Sequence, residues 1–187
     1  METAVYIGLL HYPVRGKDGG TITASITNLD LHDLARLART FELKAFYVIQ
    51  PLPLQRKLAE RLAAYWVDGH GAEYNPTRKE VFGRMRIAEN YQAARAAIAA
   101  ESGRPLVIGT SARPQERAVS FGKVRAEMEK GGCWFILLGT GWGIAPEFLS
   151  AETDYILEPI PGRGDYNHLP VRAAAAIILD RLLGIRE

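Results

Sequence analysis

Cys133-Trp134-Phe135-Ile136-Leu137-Leu138-Gly139-Thr140-Gly141-Trp142-Gly143 decides how the rest of the chain reads. Its apolar run is the length of a strand buried on both faces, and the glycines at alternate positions directly after it predict a tight turn. A strand covered on both sides belongs in a mostly parallel sheet flanked by helices. Glycines at its end let a ligand approach backbone N–H groups, which suits nucleotides and adenosine-bearing cofactors. The same glycines also suit a turn that needs positive φ, and the stretch by itself leaves both readings open.

Working outward, short β-rich runs at 4–10, 44–49, 85–88, 105–109, 134–138 and 154–157 predict six strands. Between them lie segments of helical period. In 29–41, Leu31, Leu34, Ala35 and Ala38 share one face, with Asn28 or Asp30 as the expected N-cap. Residues 54–67 and 119–130 have amphipathic spacing, and Asn90 caps an alanine-rich helix over 91–100 that Gly103 closes. A last helix is expected from Asn167 or His168 to Leu183, ending at Gly184. Without an internal repeat or linker, the 187 residues read as one α/β domain, 1–187.

Several function classes drop out. One cysteine permits neither an internal disulfide nor a cysteine-cluster metal site, and the four histidines lack metal-ligand spacing, so no metal is expected. No apolar run approaches the ~20 residues that span a bilayer, and the opening METAVYIGLLHYPVRG lacks the order of a signal peptide. A cytoplasmic, membrane-free protein is the expectation. Dinucleotide, P-loop and nucleophile-elbow motifs are absent. A net charge of +2 neither announces nor opposes a nucleic-acid partner.

Ligands of open parallel sheets sit beyond the carboxyl ends of the strands. Three segments there stand out: Gly109-Thr110-Ser111-Ala112-Arg113, the glycine turn 139–143, and 158–169, which combines prolines, glycines, Arg163, Asp165 and the cluster Tyr166-Asn167-His168. Taken together with Asp30-Leu31-His32-Asp33-Leu34-Ala35-Arg36 and Leu169-Pro170-Val171-Arg172-Ala173-Ala174-Ala175-Ala176-Ile177, in this order, they resemble the SPOUT superfamily of trefoil-knot methyltransferases, and HYP near the start with GDYNHL near the end resembles a bacterial RNA-methylating branch of it.

The resemblance implies a C-terminal trefoil knot from about residue 105, a homodimer with cofactor sites near the subunit interface, S-adenosylmethionine as cofactor, and RNA as substrate, of the tRNA or rRNA class. On that basis the cofactor slot is expected at Gly109, Thr110, Gly139, Gly141, Trp142, Gly143, Ile160 and Leu169. Asp165 is the candidate base, or else a turn residue. Arg36 is the candidate to orient the acceptor, or else part of a solvated helix face. Arg113, Arg163, Tyr166, Asn167 and His168 are expected to contact substrate, and Arg15, Lys17, Arg117, Lys123 and Arg125 are either phosphate contacts or ordinary surface charges. The segment 13–23 reads as a lid or a simple connection. Pro170, Asp30 and Gly141 depart from the superfamily pattern and favour the alternative, a non-catalytic nucleotide-binding module.

Overall fold

The computed structural model describes residues 3–185. Its elements are β1 (Thr3–Leu10), β2 (Val14–Arg15), β3 (Thr21–Ile22), α1 (Asn28–Thr40), β4 (Ala45–Ile49), α2 (Pro53–Val67), α3 (His70–Tyr74), α4 (Pro76–Phe82), β5 (Met85–Ala88), α5 (Tyr91–Ser102), β6 (Leu106–Gly109), β7 (Ala118–Val119), α6 (Phe121–Met128), β8 (Gly132–Gly139), α7 (Pro146–Glu152), β9 (Tyr155–Leu157) and α8 (Val171–Leu183). Seven strands form one sheet in the order β5-β4-β1-β8-β6-β9-β7. Every pairing in it is parallel.

The sheet is central because its strands alternate between two apolar layers. Ile7, Leu9, Phe46, Val48, Trp134, Ile136 and Leu138 pack with α1, α6 and α8, while Tyr6, Leu10, Tyr47, Ile49, Phe135 and Leu137 pack with α5 and the α7 residue Leu149. Burial on both faces explains why these strands read as unbroken apolar runs. The buried Cys133 belongs to the second layer, and burial pushes its thiol up to about 11.

Three predicted boundaries move. The cap of α1 is Thr27, not Asn28 or Asp30: its hydroxyl accepts from the Asp30 N–H and donates to Asp30 Oδ2 at 2.7 Å, so cap and third residue satisfy each other. The last helix starts at Val171 rather than 167 or 168, because Pro170 holds φ at −59° and a residue preceding proline avoids helical backbone. In 119–130 the first residue, Val119, instead belongs to the edge strand β7, and α6 begins after the Ser120 cap. The helices α3, α4 and α7 and the β2–β3 hairpin are too short to carry a periodic signal.

Candidate functional site

The register dictates where the loops meet. Leu10 lies beside Gly139 and Gly109 beside Leu137, so the chains leaving β1, β6 and β8 emerge together. Two threonines stitch these ends: Thr140 Oγ1 donates to Leu10 O at 3.0 Å and Thr110 Oγ1 to Leu137 O at 2.8 Å. The hydroxyls are thereby committed to the strand ends, and what they leave to a ligand is mainly backbone.

Above this seam lies a cleft of about 770 Å³, within the range of sites for small molecules and cofactors. It is lined by the loop after β6, the glycine turn after β8, the segment after β9, and the start of α1. The turn has Gly141 at φ +57° and Gly143 at φ +100°, backbone that side-chain-bearing residues rarely adopt. Leu138, Ile144, Leu157 and Ile178 supply apolar wall, and Asp30, Glu158 and Asp165 supply carboxylates. The β2–β3 hairpin leans on the turn through Arg15 N to Gly143 O at 2.8 Å and Trp142 N to Arg15 O at 3.2 Å.

Most of the predicted residues converge here. Thr110, Arg113, Gly139, Gly141, Trp142, Gly143, Ile160, Asp165, Asn167, His168 and Leu169 all line the cleft. Gly109 stands just beneath it, and there the absent side chain serves packing: a Cβ would lie 2.6 Å from Leu149 Cδ2. Arg163 and Tyr166 are exposed on the same 158–169 loop without lining the cavity, and Asn167 ties that loop down through Nδ2 to Ala112 O at 3.1 Å. Arg36 lies outside the cleft on α1, largely exposed and 3.8 Å from Asp33. Of the further basic residues, Arg15 lines the cleft, whereas Arg117 donates to Ser150 O and Arg125 pairs with Glu129.

A charge cluster on the cleft wall was not foreseen. Arg172, at the start of α8, reaches Asp30 Oδ1 at 3.3 Å and Asp33 Oδ2 at 3.4 Å, joining α8 to α1. The pair is 142 positions apart in sequence, so no local pattern could announce it. Behind Asp30 sits His11, fully buried. Its Nδ1 donates to Ile49 O at 3.1 Å, and Nε2 has no partner among the described residues. Burial lowers the pKa of His11, against the smaller opposing effects of the Ile49 carbonyl and the nearby Asp30 carboxylate. No group of residues suited to a metal occurs among the described residues, and no helix there is long and apolar enough to cross a membrane.

The cleft at the carboxyl ends of a parallel sheet agrees with a comparison against known families: residues 4–184 match the family described as SAM-dependent RNA methyltransferase. The chain belongs to that family. This methyltransferase is 46% identical over 180 residues to an uncharacterized protein of Aquifex aeolicus, covering 95% of this chain and 87% of the relative. It is 44% identical to a tRNA (guanine-N(1)-)-methyltransferase of Nitratidesulfovibrio vulgaris, covering 96% of this chain but only 42% of that protein, so the chain spans less than half of that relative's length. Among solved structures, a probable methylase family protein of Haemophilus influenzae superposes with TM-score 0.62 at 19% identity, covering 97% of this chain and 66% of that one. A TrmH/SpoU tRNA modifying enzyme of A. aeolicus gives 0.57 at 13% identity, covering 97% and 74%, so the chain shares its fold with both. The mostly parallel sheet flanked by helices and the cofactor class expected from the sequence are both borne out.

Proposed function

We propose that this chain, acting as a single domain, binds S-adenosylmethionine in the cleft and methylates a nucleotide of tRNA or rRNA. The carrying observation is the meeting of three separately encoded loops in one cavity of about 770 Å³, in a chain of a SAM-dependent RNA methyltransferase family. The residues present fit the cofactor: the positive-φ turn exposes backbone, aliphatic walls suit adenine, and carboxylates suit a ligand with an ammonium and a sulfonium. Backbone groups of Thr110, Gly139, Gly141 and Gly143, together with Ile160 and Leu169, would hold it, over the packed floor at Gly109. When bound, S-adenosylmethionine supplies an activated methyl group.

The protein's share is positioning and proton handling. Asp165, on the cleft wall, accepts the proton that a ring nitrogen or a hydroxyl loses on methylation. Arg113, Arg163, Asn167 and His168 hold the acceptor strand. Arg36 is six residues along α1 from Asp30 and outside its own cleft, which suits a role at the neighbouring subunit of a homodimer. The knotted threading from about residue 105 onward belongs to the same reading, supported by the sheet topology and the fold it shares with a TrmH/SpoU enzyme. The tRNA option draws on relatives named as tRNA methyltransferases, of which this chain matches only a part.

Calorimetric titration with S-adenosylmethionine tests the reading, comparing wild type with Gly141→Val. A β-branched residue at φ +57°, with its Cβ 3.4 Å from Arg15 O, distorts the turn. Saturable binding lost in a folded variant supports the site. Wild type that fails to bind would turn the case toward a non-catalytic module. Asp165→Asn, assayed with tritiated cofactor on bulk tRNA and rRNA, separates a base from a turn residue: a base loses its activity, a turn residue does not.

A further inference from the structure

We propose that the rings of Trp142, His168 and Tyr166 form a stacking platform for an unpaired nucleobase, so that the acceptor is a looped or single-stranded RNA segment and not a continuous duplex. The proposal rests on the methyltransferase reading of the adjoining cleft. Trp142 comes from the turn after β8, and His168 and Tyr166 from the segment after β9, yet the three rings meet. The Trp142 and His168 centroids are 5.9 Å apart at an interplanar angle of 74°, and those of Tyr166 and His168 are 5.3 Å apart at 70°.

These rings lie outside the core. Trp134 is 1% exposed and Tyr91 2%, whereas Trp142 is 46% and Tyr166 75% exposed. Trp142 contributes to the turn through its backbone N–H, a bond that any residue but proline could make. Clustered aromatic surface left in water beside a ligand cleft is a binding signal, and flat rings on loops suit flat bases, which every nucleotide presents once it is unstacked.

Charge argues the same way. The cleft lining holds Arg15, Arg113 and Arg172 against Asp30, Glu158 and Asp165, with Arg172 committed to Asp30. A balanced rim attracts a phosphodiester backbone weakly, so the contact that selects the acceptor has to come from the rings. Trp142 then divides its roles: its backbone stays with the cofactor turn while its ring serves the acceptor.

The test uses a labelled ten-nucleotide oligo(A) strand and a ten-base-pair RNA duplex, with binding followed by fluorescence anisotropy, and S-adenosylhomocysteine binding followed separately by calorimetry. Wild type is expected to prefer the single strand. Trp142→Ala and Tyr166→Ala each weaken it by about 5- to 100-fold and Trp142→Phe keeps it within about fivefold, while S-adenosylhomocysteine affinity stays within about twofold in Tyr166→Ala, whose ring lies outside the cleft lining, and falls less than strand affinity in Trp142→Ala. Failure of wild type to bind the single strand, equal affinity for the duplex, or full binding by Trp142→Ala would overturn the platform. So would a loss of S-adenosylhomocysteine affinity in Trp142→Ala that matches the loss for the strand, which would return the ring to the cofactor. Wild type that binds the strand but no S-adenosylhomocysteine would overturn the cofactor reading instead, and the strand measurements would still decide the platform.

Discussion

Replacing Gly143 by alanine isolates the cost of the turn's backbone. At Gly143 φ is +100°, and a Cβ built there meets nothing within 4 Å, so the added methyl has room and only the conformation resists it. That penalty is about 1–2 kcal/mol. Gly122, the second residue of α6, also has nothing within 4 Å of a built Cβ, but its backbone is helical. There alanine stabilises by about 0.5–1 kcal/mol, through helix propensity and a less flexible unfolded chain. For a chain of this size each kcal/mol moves Tm by about 2–4 °C. Gly143→Ala should therefore melt roughly 2–8 °C below wild type and Gly122→Ala roughly 1–4 °C above it, in calorimetric scans at one protein concentration. Only Gly143→Ala should also weaken S-adenosylhomocysteine binding. Shifts of the same sign in both variants would refute the reasoning, since the two sites differ in backbone and not in space.

Stability should fall as the medium is acidified below about pH 6.5, the unfolded value for histidine. The pKa values of His11 and His32 are both lowered in the folded protein, chiefly by burial, so below that pH the unfolded chain takes up protons that the folded one refuses. Urea midpoints at pH 7.5 and 5.5 measure the loss, and His11→Asn should shrink it; an unchanged slope would clear His11 of any part. Arg172→Met should cost about 1 kcal/mol, discounted because Arg172 is partly solvated, and the further change Asp30→Asn should recover part of it in a double-mutant cycle. Finally, Cys133, its thiol pushed up to about 11 by burial, should resist thiol reagents at pH 8 until the protein unfolds, with fast labelling of the native protein as the contrary result.

The sequence announced six of the seven sheet strands, the central ones most plainly, because strands buried on both faces leave an apolar mark that needs no partner to be seen; β7, two residues long and not buried, leaves none. It announced the three loops because turn-forming residues are local, and Gly141 and Gly143 do adopt the positive φ that their spacing suggested. What it hid depends on residues distant in the chain. Arg172 finds Asp30 only after α8 is laid beside α1, and Trp142 finds His168 only after two loops converge. Thr27 escaped notice because Asn28 and Asp30 are equally good caps by composition, and the choice fell to whichever residue was extended, at φ −120°. Gly109 is a caution of a different kind: its glycine answers to Leu149, not to a ligand.

The pairing of β1 with β8 has a consequence for synthesis. Thr3 waits for Gly132 and Leu10 for Gly139, although β1 leaves the ribosome well before β8. At about 5–20 residues per second, that leaves one edge of β1 without its partner for roughly ten seconds, while β4 covers only the other edge. A nascent or truncated chain thus carries a bare apolar strand edge, prone to pairing with other chains. The proposed cofactor pocket shares the delay, since its turn follows β8, so cofactor can stabilise the completed protein but cannot shelter the growing one.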